Sequence, residues 1–73
     1  MFGDEVGTIE AVRGFDLHGV TYYDLAVKLD DGRIEEARLG PESVPGGLAK
    51  GDRVRIVRAG LMIIQVAREQ DRT

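Results

Sequence analysis

The chain has no cysteine and no tryptophan, two prolines and a single histidine. Without cysteine, neither a disulfide nor a thiolate metal site can hold it together, and the lack fits the cytoplasm, the compartment expected here. No apolar run approaches the roughly 20 residues that span a bilayer, so no membrane partner is expected. The start "MFGDEVG" has no basic residue and no apolar stretch, and does not read as a signal peptide. Basic charge is also scarce: ten Lys and Arg stand against thirteen Asp and Glu, a formal net charge of −3. Nucleic-acid-binding domains draw much of their affinity from neutralised phosphates, so this balance disfavours a polyanionic partner while leaving room for a local basic face.

What is present is β pattern almost throughout. Residues 1–73 make one domain, close to the lower size limit for a chain that folds on its own core. "VGTIEAVR" (residues 6–13) is rich in β-branched side chains and ends at Gly14. Its parity is broken, with Ile9 and Ala11 on one face and Val6 and Val12 on the other. Either a bulge or two partly covered faces would produce that. "GFDLHG" reads as a loop bounded by glycines.

"TYYDLAVKLDDGR" is the clearest strand, with Tyr23, Leu25, Val27 and Leu29 on its core face. Its turn decides the next register. A two-residue turn would set Leu25 against Arg38. A three-residue loop of Asp30, Asp31 and Gly32 sets Leu25 against Ala37 and Asp24 against Arg38, and is the expectation. "GPESVPGGLAKGD" is a connection with room for one helical turn at "PESV". "RVRIVR" and "LMIIQVAR" are two further strands joined through Ala59 and Gly60. Alternation gives Met62, Ile64 and Val66 to the core and turns Leu61 and Ile63 outward. Five short strands divided by turns predict an all-β fold: a small five-stranded barrel, OB-like, with an SH3-like barrel as the alternative.

The order "GTIEAV", "VKLDDGR…EARL", "GDRVRIV", "IIQVARE" resembles small OB-fold barrels. It is similar to bacterial S1-like translation initiation factors, which share the L-D-x-G turn and the later G-D-x-V strand. It is also similar to hydrogenase maturation chaperones in their final strands, and to barrel segments of some bacterial envelope lipoproteins through "VKLDDGR" and "KGDRVRIV". The resemblance covers about two thirds of the chain and implies a fold more than an activity. Two departures matter. The chaperones act through a cysteine directly after the initiator methionine, where this chain has Phe2. The S1-like factors are basic and longer between the third and fourth strands, where this chain is acidic and carries only the Pro/Gly connection.

No catalytic constellation emerges. His18 has no nucleophile pattern beside it. Glu35 and Glu36 are strand neighbours, point to opposite faces and cannot share a site. The carboxylates of "DLH" and "DD" sit at turns and do not make a three- or four-ligand set. Neither an enzyme nor a metal or other cofactor is expected.

Two binding surfaces remain. The first serves protein–protein association, with a partner protein or a second copy, through Val57, Leu61 and Ile63 on the last hairpin and Ile34 on the preceding one. Cover by the N-terminal segment with Phe2 is the competing explanation for these residues. The second surface would bind single-stranded RNA or DNA through Phe15, His18 and Tyr22 with Arg33, Arg53 and Arg55. Glu10, Asp24, Glu35 and Glu36 lie among the same strands and compete for those arginines. "KGDRVRIVRAG" therefore reads as a half-buried strand with a solvated, salt-bridged face. The expected function is a non-catalytic accessory or assembly module. Nucleic-acid binding is the alternative, and a small-ligand or metal carrier the third.

Overall fold

The structure, a computed structural model, describes residues 5–69. Phe2 and the tail beyond Glu69 lie outside the described residues. Five strands form: β1 (Glu5–Leu17), β2 (Val20–Leu29), β3 (Ile34–Leu39), β4 (Arg53–Ala59) and β5 (Met62–Arg68). A 3₁₀ turn at Pro41–Ser43 falls where "PESV" allowed one. All neighbouring strands are antiparallel, in the order β3-β2-β1-β4-β5. The protein is all-β, as expected, but the sheet is not closed. β3 and β5 approach one another without a hydrogen-bonded ladder between them among the described residues.

The first hairpin is longer than the sequence pattern implied. "GFDLHG" is not a loop: β1 runs through Gly14 to Leu17, and only His18 and Gly19 form the turn. Both have positive φ, 55° and 81°, the type I′ pattern whose twist suits two-residue hairpins. Gly14 is a pairing residue opposite Tyr23, whose ring occupies the space a side chain would need: a Cβ there would lie 3.2 Å from Tyr23 Cε1. The broken parity of β1 is a bulge. Ile9 pairs with Val27 and Ala11 with Ala26, leaving Glu10 as the extra residue. Gly7 and Ile9 face the core before it, and Val12 packs against the core after it.

The β2–β3 register is the expected one: Tyr23 opposite Leu39, Asp24 opposite Arg38, Leu25 opposite Ala37, Val27 opposite Glu35. The loop is held by the Gly32 N–H donating to the Leu29 carbonyl at 2.9 Å, with Gly32 at φ 97°.

The last hairpin corrects the alternation reading. Val57 pairs with Gln65 and Arg58 with Ile63, so Ile64 is a second bulge. The bulge puts two residues, Ile64 and Gln65, between one core position and the next, instead of one. Ile63, expected outside, is 8% exposed and packs with Val66; Met62 and Ile64, expected inside, are 70% and 43% exposed.

The core gathers Ile9, Leu25, Val27, Leu29, Leu39, Val54, Ile56, Ile63 and Val66 from every strand, and Val44 from the connection. Burying each such side chain contributes about 1.5–3 kcal/mol. Side chains cover the two ends of the open seam. At one end the Arg58 guanidinium bonds Glu5 of β1 and reaches Glu35 of β3 at 2.8 Å; Arg33 joins the same two carboxylates at 3.0 and 3.2 Å. At the other, Arg68 of β5 donates to the Gly46 carbonyl at 2.8 Å and pairs with Asp52 at 2.9 Å, pinning the connection that carries Val44.

Candidate functional site

The arginines of "KGDRVRIVRAG" are paired with carboxylates. Arg53 makes a two-pronged bond to Asp30, 2.8 and 3.0 Å, and also donates to the Thr8 hydroxyl. Arg55 pairs with Glu69 at 3.0 Å, and Arg58 belongs to the seam network. Arg33 is shared among Asp31, Glu35 and Glu5. The charge-assisted bonds leave their mark on the acids. The Arg58 guanidinium holds the Glu5 carboxyl below its ordinary value of 4.5, and the Arg53 guanidinium lowers Asp30 in the same way. A carboxylate bonded to an arginine offsets part of its charge, so a phosphate would have to compete with that carboxylate for the same guanidinium. The three arginines expected on a nucleic-acid face, Arg33, Arg53 and Arg55, are thus engaged inside the fold.

The aromatic part of that expectation is assembled. Phe15 and Tyr22 are cross-strand partners near the β1–β2 tip, with ring centroids 6.2 Å apart. His18 stands apart from them in the exposed turn. A different arginine attends the pair. Arg38 lies over the Phe15 ring, 4.7 Å from its centroid, while gripping Asp24 at 2.8 and 3.2 Å. The Arg38 guanidinium holds Asp24 low in turn. Phe15 therefore already carries a cation on one of the two faces on which a base could stack.

Among the described residues, four of the seven exposed large apolar side chains lie on the β4–β5 hairpin; Leu17 and Val20 stand at the β1–β2 tip and Ile34 at the start of β3. Leu61 is 94% exposed at the turn and Val57 38% exposed in β4. Gly60, at φ 61°, gives that turn its tight reversal, with Ala59 and Met62 as the closing pair. Met62 and Ile64 take the outward place expected of Ile63, next to Val57. Ile34 is 60% exposed at the start of β3, beside Glu35, whose carboxylate reaches Arg58; Arg58 in turn donates to the Leu61 carbonyl at 3.1 Å. The hairpin face from Val57 to Gln65 carries Ala59, Met62 and Ile64 and no charged side chain.

Alternation missed Met62 and Ile64 because the bulge reverses their sides. Arg38 was within reach of the sequence, since the hairpin register had already placed it across from Asp24. Among the described residues no group of three or more acidic or histidine side chains is close enough to hold a metal ion, and no helix is long and apolar enough to cross a membrane. Comparison with protein families, with curated proteins and with solved structures returns no match.

Proposed function

We propose that this chain is a non-catalytic association module that pairs with a second copy of itself through the outer face of the β4–β5 hairpin. The observation that carries the reading is the exposure of four large apolar side chains, Val57, Leu61, Met62 and Ile64, on one hairpin. A second copy suits this face for an electrostatic reason. In a two-fold contact each residue meets its own equivalent or a near neighbour, and an uncharged face keeps a chain of net charge −3 from opposing like charges. The fold supports an OB-like rather than an SH3-like reading: β1 bonds both β2 and β4, the order of an OB barrel opened between β3 and β5, whereas an SH3-like meander would set β4 beside β3.

Sedimentation velocity from low to high micromolar concentration tests the proposal. Wild type is expected to show a concentration-dependent species heavier than the monomer, and Met62→Glu to remain monomeric with an unchanged circular dichroism spectrum. A wild type that stays monomeric throughout sinks it. Single-stranded RNA or DNA binding is the second reading, favoured by the assembled Phe15 and Tyr22 pair and opposed by the engaged arginines.

A further inference from the structure

A second surface lies on the outer side of β1, β2 and β3, away from the proposed association face. Two cross-strand rows define it. Arg13, Asp24 and Arg38 form one, and Ala11, Ala26 and Glu36 the next. Together they line an open groove of about 550 Å³. The alanines end at Cβ and leave the space above the middle of the sheet unfilled; the Phe15 and Tyr22 row lies beyond the arginine row and does not line the groove.

Arg13 distinguishes this groove. Of the arginines within the described residues, Arg33, Arg38, Arg53, Arg55, Arg58 and Arg68 each have a carboxylate within 4.0 Å, and Arg13 has none. Its cross-strand neighbour Asp24 is taken by both prongs of Arg38. Arg13 acts on Asp24 through its charge alone, helping to hold that carboxyl low, and its exposed guanidinium makes no hydrogen bond to a carboxylate among the described residues.

We propose that the groove binds a short extended peptide segment of a protein partner, with one side-chain carboxylate on Arg13 and an adjacent apolar side chain on the Ala11 and Ala26 floor. Charge limits the ligand to a single anion. Asp24 and Glu36 flank the site, so a run of phosphates would bring further negative charge against them. Arg38 covers one face of the Phe15 ring, which leaves less of it for a nucleobase to stack on. A carboxylate beside an apolar side chain meets a guanidinium not hydrogen-bonded to any carboxylate among the described residues, and an unfilled alanine floor. This site stands independently of the self-association face.

The test is selection of a random heptapeptide display library against the Met62→Glu variant, which keeps the groove and removes the association face, with counter-selection on the same variant carrying Arg13→Gln. The expected outcome is enrichment of peptides with an Asp or Glu next to an apolar residue. Their affinity falls roughly fivefold with Arg13→Gln, the weight of an exposed charge pair, and is largely kept by Arg13→Lys. Amide chemical shifts of Ala11, Asp24 and Ala26 should move on titration with the selected peptide. Selected peptides without a carboxylate, binding indifferent to Arg13→Gln, shift changes confined elsewhere, or no selection at all would each overturn the proposal. So would a mixed-sequence single-stranded oligonucleotide that competes for the groove at moderate salt.

Discussion

Ile63 and Met62 are adjacent in sequence and opposite in consequence. Ile63 is packed among Val66, Ile56 and the rest of the core, so Ile63→Ala removes buried methylenes and leaves a cavity. Its expected cost is about 2–5 kcal/mol, read as a lower urea midpoint. Met62→Ala, at a largely solvated position, should stay within about 0.5 kcal/mol. Equal costs would mean that the β5 bulge is not where it is described. Gly7 offers a second residue-scale test. It sits in the core face opposite Leu29, and a Cβ would come within 2.7 Å of the Lys28 carbonyl oxygen and 2.8 Å of Val27 Cγ1. Gly7→Ala is expected to destabilise by about 1–3 kcal/mol, because backbone cannot swing aside as a flexible side chain would. A neutral substitution would show that β1 and β2 have slack at this position.

At the scale of elements, the β1–β2 hairpin has two regimes. Where Gly7 and Thr8 lie, β1 bonds β2 on one side and β4 on the other; between residues 14 and 22 it bonds β2 alone. A two-stranded ribbon is marginal in water by itself. Backbone amides in residues 14–22 should therefore exchange with solvent faster than those of residues 7 and 8, and uniform protection along β1 would show that something further covers the arm. The same hairpin shows what sequence could and could not disclose. The β2–β3 register was legible because turn chemistry, alternation and the charges of Asp24 and Arg38 all pointed one way. The end of β1 was not, because Gly14 looks like punctuation until Tyr23 is seen lying across it. The two bulges have no composition of their own: Glu10 left a trace as broken parity, while Ile64 lies in an apolar run that alternation reads smoothly and wrongly. The candidate site suffered accordingly. Val57, Leu61 and Ile34 are exposed as the pattern implied, whereas Met62 and Ile64 changed places with Ile63.

At the scale of the molecule, an open sheet must hold β3 near β5 without a ladder, and the Glu5, Arg33, Glu35 and Arg58 network is placed to do so at one end. It joins the start of β1, the entry to β3 and the end of β4. Its pH dependence follows from the carboxylates. Glu5 is held below its ordinary 4.5, first by the hydrogen bond from Arg58, and Asp24, Asp30 and Asp52 are likewise lowered. An acid whose folded pKa is depressed stabilises the fold above its unfolded value, and that contribution is lost as pH falls through the folded pKa. The urea midpoint should thus be flat above about pH 5 and decline in more acidic solution. Glu5→Gln should lower the neutral-pH midpoint and make the acid decline shallower. A Glu5→Gln profile parallel to wild type would remove this carboxylate from the account of the seam.

The central claim is that the hairpin face, and not its core side, makes the interface. The most direct measurement is sedimentation velocity on wild type, Met62→Glu and Ile64→Glu at matched high micromolar concentration, with circular dichroism on the same samples. The account predicts an associating wild type and two folded, monomeric variants. A wild type that is already monomeric, or folded variants that associate as strongly as wild type, would contradict it.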